Sequence, residues 1–108
     1  MLKVENGNIK LTRGDSATLT VKLEQDGGEV EVGPNDQLTL TVKRSTTTAD
    51  ALVEKTVTGT NDIVIDPADT EGLAYGSYKY DVQLNTEGGG VYTVVGPATF
   101  RITEEVTW

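Results

Sequence analysis

The chain has 108 residues, 36% of them hydrophobic, and its 17 acidic against 9 basic side chains give a net charge of −8. That length fits a single domain over residues 1–108 with one core, because the apolar residues are spread along the whole chain. The acidic field disfavours nucleic-acid phosphate and anionic membrane surfaces, and the lack of His and Cys removes disulfides, thiolate chemistry and His- or Cys-based metal centres.

The acidity permits a basic protein partner, although its first effect is to keep a strand-rich chain soluble. No apolar run approaches the roughly 18 residues of a membrane span. Met1-Leu2-Lys3-Val4-Glu5 has neither the basic region nor the apolar stretch of a signal peptide, so synthesis in the cytoplasm is expected.

In chain order, Ile9 and Leu11 flank Lys10 as a first short strand. Arg13-Gly14-Asp15-Ser16 follows, where the chain must turn or bulge before the next run. Gly14 supplies backbone freedom there, and Asp15 with Ser16 can bond the local backbone. Ala17, Leu19, Val21 and Leu23 then alternate with polar residues, which predicts a half-buried strand. Asp26-Gly27-Gly28 is hairpin chemistry, and Val30 with Val32 flank Glu31. Gly33-Pro34-Asn35-Asp36 marks a reversal before Leu38, Leu40 and Val42 alternate over 37–43. Residues 45–50 read as a long exposed connection. Residues 51–57 read as a strand of open register, because Leu52 and Val53 cannot both face inward. Ile63 and Ile65 flank Val64.

Next comes one helical turn near 67–71. Asp66 is placed to cap it by accepting from the residue 69 amide while the Asp69 carboxylate reaches back to the Asp66 amide. Pro67 fits the first helical position, and Gly72 is expected in the left-handed conformation that ends the turn, with Leu73 plugging the core. Tyr78, after Gly76, is the first choice for a tyrosine corner, with its hydroxyl bonded to nearby backbone; Tyr75 is the second. Tyr78, Tyr80, Val82 and Leu84 alternate with polar residues, Glu87-Gly88-Gly89-Gly90 turns the chain, and Val91 to Val95 is almost wholly apolar. Ala98, Phe100 and Ile102 close the series. About eight strands result. The expectation is an all-β, immunoglobulin-like sandwich of two antiparallel sheets.

Chemistry is scarce. The remaining catalytic option is a carboxylate pair, among Asp62, Asp66 and Asp69 or at Glu104-Glu105. Capping explains the first group and terminal position the second, so no enzyme, no catalytic residue and no cofactor is expected. Calcium at Asp62, Asp66 and Asp69 is disfavoured, because the spacing departs from the twelve-residue calcium loop and no glycine stands at its turn position. Arg13-Gly14-Asp15 is the integrin-recognition tripeptide, but it is better explained as the turn between two strands. Tyr92 and Trp108 are the rings free to contact a partner; Trp108 is either a flap on its own domain or an anchor for a neighbour.

Three stretches carry a resemblance: Ile9 to Ser16, then Ile65-Asp66-Pro67-Ala68-Asp69-Thr70 with Leu73, Gly76, Tyr78 and Tyr80-Asp81-Val82, and the closing Phe100-Arg101-Ile102-Thr103 with Val106-Thr107. Together they resemble Ig-like domains of tailed phages and prophages of Gram-positive bacteria, similar to the N-terminal domain of baseplate upper proteins. The resemblance implies a structural tail or baseplate part, made in the host bacterial cytoplasm and then virion-associated. Its contacts would be other virion proteins or its own copies. Baseplate upper proteins continue into a long C-terminal region, so their host-binding role is not carried over, and no functional residue transfers. The alternative from another class is an Ig-like adhesion or carbohydrate-binding module with an aromatic patch near Tyr92 or the 45–50 loop.

Overall fold

A computed structural model describes residues 2–5, 8–25, 28–45 and 51–104. The fold is all-β, with ten strands and one short helix among the described residues. The strands are β1 (Leu2–Glu5), β2 (Asn8–Thr12), β3 (Ala17–Thr20), β4 (Leu23–Gln25), β5 (Gly28–Val30), β6 (Gln37–Lys43), β7 (Val53–Thr58), β8 (Asp62–Ile65), β9 (Gly76–Asn85) and β10 (Val91–Thr103); α1 spans Pro67–Glu71. Six strands form the main sheet in the order β1-β2-β10-β9-β6-β7, while β3 pairs with β8 and β4 with β5.

Period-two alternation sets the inward face of β2, β6, β8 and most of β9. Leu38, Leu40 and Val42 on β6 are fully buried, as is Val82 on β9, and Ile63 and Ile65 on β8 are buried while Val64 between them is exposed. These side chains join Leu19 of β3 and Phe100 and Ile102 of β10 in one core. The rings of Tyr80 and Phe100 meet edge to face at 6.0 Å, the arrangement their quadrupoles favour. β7 begins with Val53 buried, and Leu52 just before it is exposed, which settles the register that the sequence leaves open.

Three departures from the expected architecture have physical causes. The main sheet is mixed, because β2 runs parallel to β10, with Ile9 opposite Phe100 and Leu11 opposite Ile102. A parallel pair needs a long connection, and here nearly the whole domain lies between the two strands. The alternating run 16–24 is not one strand: it breaks at Val21 and Lys22 into β3 and β4, which belong to different sheets. Val21 stays buried at the break because Asn61 holds it, donating from Nδ2 to the Val21 carbonyl at 2.9 Å and accepting the Val21 amide on its own carbonyl at 2.8 Å. Conversely, the runs 91–95 and 98–103 merge into the single 13-residue strand β10, with register shifts between Thr93 and Val95 and between Val95 and Ala98.

Gly72 is corrected as well. It ends α1 in a right-handed conformation (φ −84°, ψ −1°), and the turn is closed by the Leu73 amide donating to the Thr70 carbonyl at 2.9 Å. A three-residue hydrogen bond of this kind tightens a helix end without a left-handed residue. Leu73 packs against the core from this turn.

Candidate functional site

The residues singled out around the helical turn converge on one junction. Asp66 and Asp69 form a capping box: the Asp66 amide donates to Asp69 Oδ2 at 2.7 Å. In the other direction the shortest bond of the Asp69 amide is to the Asp66 carbonyl oxygen, at 2.9 Å. Pro67 opens the helix, where its missing N–H leaves no donor unsatisfied. Lys55 of β7 reaches both carboxylates, 3.2 Å from Asp66 Oδ2 and 3.1 Å from Asp69 Oδ2, and so pins the helix to the main sheet. Those bonds, from Asp69 first and then Asp66, hold the Lys55 ammonium above its ordinary pKa of 10.5.

Gly14 adopts φ +82°, a conformation that favours glycine, and its amide donates to Thr70 Oγ1 at 2.9 Å. Thr70 is only 1% exposed, so the last turn of α1 is stitched to the β2–β3 turn through a buried hydroxyl. Arg13 lies across the Tyr75 ring, 4.3 Å from its centre, and donates to the Tyr75 hydroxyl at 2.8 Å and the Leu73 carbonyl at 3.5 Å. The Asp15 amide donates to the Thr12 carbonyl at 3.2 Å. Arg13-Gly14-Asp15 is therefore half-buried and built into this junction, not held out as a loop tip. Tyr78 is 4% exposed and its hydroxyl donates to the Ala74 carbonyl at 2.6 Å, the geometry of a tyrosine corner.

Asp62 does not join Asp66 and Asp69: its Oδ1 accepts from Thr20 Oγ1 at 2.7 Å on the β3–β8 pair. Among the described residues no group of three acidic side chains is placed to hold a metal ion.

Open clefts indent the surface, and two are lined by described residues. One, of about 390 Å³, lies on the outer face of the main sheet between Thr41, Lys43, Glu54, Lys79, Asp81 and Pro97. The other, of about 400 Å³, lies around Thr20, Lys22, Glu31 and Asn61. Each mixes both signs of charge, and the Thr20–Asp62 hydrogen bond lies in the second.

Tyr92 lies near the tip of the long β9–β10 hairpin and is 58% exposed, with Val91 beside it 61% exposed. Its ring rests against Gly90, whose Cβ position would come within 2.8 Å of Tyr92 Cε2. The hairpin tip is fixed to the neighbouring loop by Asp36, whose Oδ1 accepts the Glu87 amide at 3.0 Å while Oδ2 accepts the Gly33 amide at 3.2 Å. Trp108 and residues 46–50, 26–27 and 105–107 lie outside the described residues.

Sequence reading missed Asn61 and Lys55, and weighed Thr70 only as an oxygen beside Asp62, Asp66 and Asp69; each of the three joins separate elements of the fold. Nothing in the local pattern marks them; for Asp36 the surrounding Gly-Pro-Asn-Asp turn was the available signal. No protein-family model matches the chain, and no curated protein matches it.

Proposed function

We propose that this chain is a non-enzymatic structural component of a phage or prophage particle, in its tail or baseplate, with an immunoglobulin-like sandwich fold and a role in protein–protein contacts. The observation that carries the contact role is the exposure of Val91 and Tyr92 together, on a hairpin tip held rigid by Asp36. A rigid aromatic and a β-branched neighbour left in water are what a binding surface uses, at low entropic cost. The particle reading is supported by the sequence resemblance, whose segments lie at Gly14, at the capped turn and at Tyr78. The main sheet and the β3–β8 pair share one core, which supports the sandwich reading. After particle induction the chain should co-sediment with intact virions on a density gradient. Recovery only in the free soluble fraction would refute this role.

The exposed Tyr92 ring also favours, more weakly, a carbohydrate-binding module, since sugars stack on open aromatic faces. A glycan array that gives hits abolished by Tyr92→Ala would select that reading.

A further inference from the structure

The stretch Val91-Tyr92-Thr93-Val94-Val95 pairs with β9 on one side and, among the described residues, has no strand on the other. β2 occupies that side of β10 only from Phe100 to Thr103. The opposite edge of the main sheet, β7, is guarded by Glu54 and Lys55, the usual defence of an edge strand. The 91–95 edge has no such guard: it is uncharged, β-branched and aromatic, in a chain with net charge −8.

The hydrogen-bond phase of the hairpin fixes what this edge offers. The Thr86 amide donates to the Gly90 carbonyl at 2.8 Å, and the register places Val91 opposite Asn85 and Thr93 opposite Gln83. Bonded and non-bonded pairs alternate along an antiparallel ladder, so Val91 and Thr93 are non-bonded positions whose main-chain N–H and C=O groups point away from β9. We propose that this edge pairs with the same edge of a second copy of the chain, antiparallel about a two-fold axis at Thr93.

In that register the two Thr93 residues exchange both main-chain bonds, and the register shift that follows Thr93 on β10 keeps the pairing short. The pairing is isologous, so one sequence must suit itself, and an uncharged β-branched run does so without setting like charges against each other. The same geometry carries each hairpin tip, with exposed Glu87, towards the end of β10 in the other copy. There Lys10 and Arg101 stand opposite each other, both exposed. The pairing window is short. Gly96 and Pro97 close one end, where Pro97 has no N–H to offer, and the glycine turn closes the other. Such an edge buries less than the roughly 1,200 Å² of a standard interface, so the dimer is weak, with a dissociation constant on the order of 100 µM.

Sedimentation velocity of the full chain from about 10 µM to 1 mM tests this directly. The expected result is a reversible monomer–dimer equilibrium, with the Thr93 amide protected from hydrogen exchange only at high concentration. Thr93→Pro removes an outward N–H without touching a β9 bond, and Val91→Lys adds a charge at an exposed position. Each should raise the dissociation constant at least about tenfold, equivalent to ~1.4 kcal/mol. Val91→Lys is the sharper variant, because it lowers the net charge and would strengthen association if repulsion between whole molecules were limiting. Val64→Lys, at an exposed position on β8, should leave the equilibrium unchanged. A monomer at every concentration, or a dimer indifferent to both β10 variants, overturns the proposal. Neither result bears on co-sedimentation with virions, so the two readings fail separately.

Discussion

Replacing Tyr78 by Phe keeps the ring and removes only the hydroxyl that donates to the Ala74 carbonyl at 2.6 Å. The ring itself stays buried, so the packing against the core is unchanged. A neutral hydrogen bond of this kind contributes about 1 kcal/mol net. Ala74 is exposed, so water can take over its carbonyl in the variant and the loss should not exceed that figure by much. With a urea m-value of about 2 kcal/mol/M for a domain of this size, the midpoint should fall by roughly 0.5 M at unchanged slope. The melting temperature should drop by about 5 °C. Tyr75→Phe is the comparison, since its hydroxyl accepts from Arg13 on the exposed surface; it should cost no more than about 0.5 kcal/mol. A Tyr78→Phe midpoint equal to that of the parent protein, or a larger loss in Tyr75→Phe, would refute the corner at Tyr78.

Two glycines should respond in opposite directions in thermal melts. Gly96→Ala sets a Cβ 2.6 Å from the Tyr80 carbonyl oxygen at φ +93° and should destabilise by about 2–4 kcal/mol. Gly72→Ala meets nothing within 4 Å in a right-handed conformation and should stabilise by about 0.5 kcal/mol. Thr70→Val keeps the shape of a buried side chain but leaves the Gly14 amide without its acceptor. Urea melts should show a loss of about 1–2 kcal/mol, which Thr70→Ser restores in part. Stability should also decline in alkali. Lys55 is raised above its ordinary pKa by Asp69 and Asp66, and burial raises Tyr80 above 10.0. For both groups the stabilisation is fully present below the ordinary value and is lost as pH rises through the raised one, so the urea midpoint should fall above about pH 10. Lys55→Gln should flatten part of that decline; a profile equally steep in the variant would remove Lys55 from the account.

Much of the local structure was legible in the sequence because its causes are local. Alternation of period two told which side of β6, β8 and β9 faces the core, since neighbouring side chains on a strand point to opposite faces whatever the strand pairs with. The Asp66-Pro67-Ala68-Asp69 turn could be read because its capping partners lie within three residues of each other. Gly72 shows the limit of such reading: glycine permits a left-handed end but does not require one, and the Leu73–Thr70 bond closed the turn otherwise. At the candidate site, the exposure of Tyr92 followed from its position outside the inward alternation. Its packing over Gly90 depended on the exact course of the hairpin.

What the tertiary structure alone decided is who pairs with whom. The break between β3 and β4 is held by Asn61, forty residues further along the chain from Val21. The parallel union of β2 with β10 is helped by Asn8 accepting the Thr99 amide across 91 residues. Burial of Thr70 and the docking of Arg13 on Tyr75 likewise join distant segments. Alternation is a property of one strand and is blind to its partners, whereas, among the described residues, the edge at 91–95 is open because β2 pairs with β10 only from Phe100 onward. By itself the sequence determined an all-β chain with a defined inward face and a capped turn. The assembled sheet order decided which surface remains free to bind.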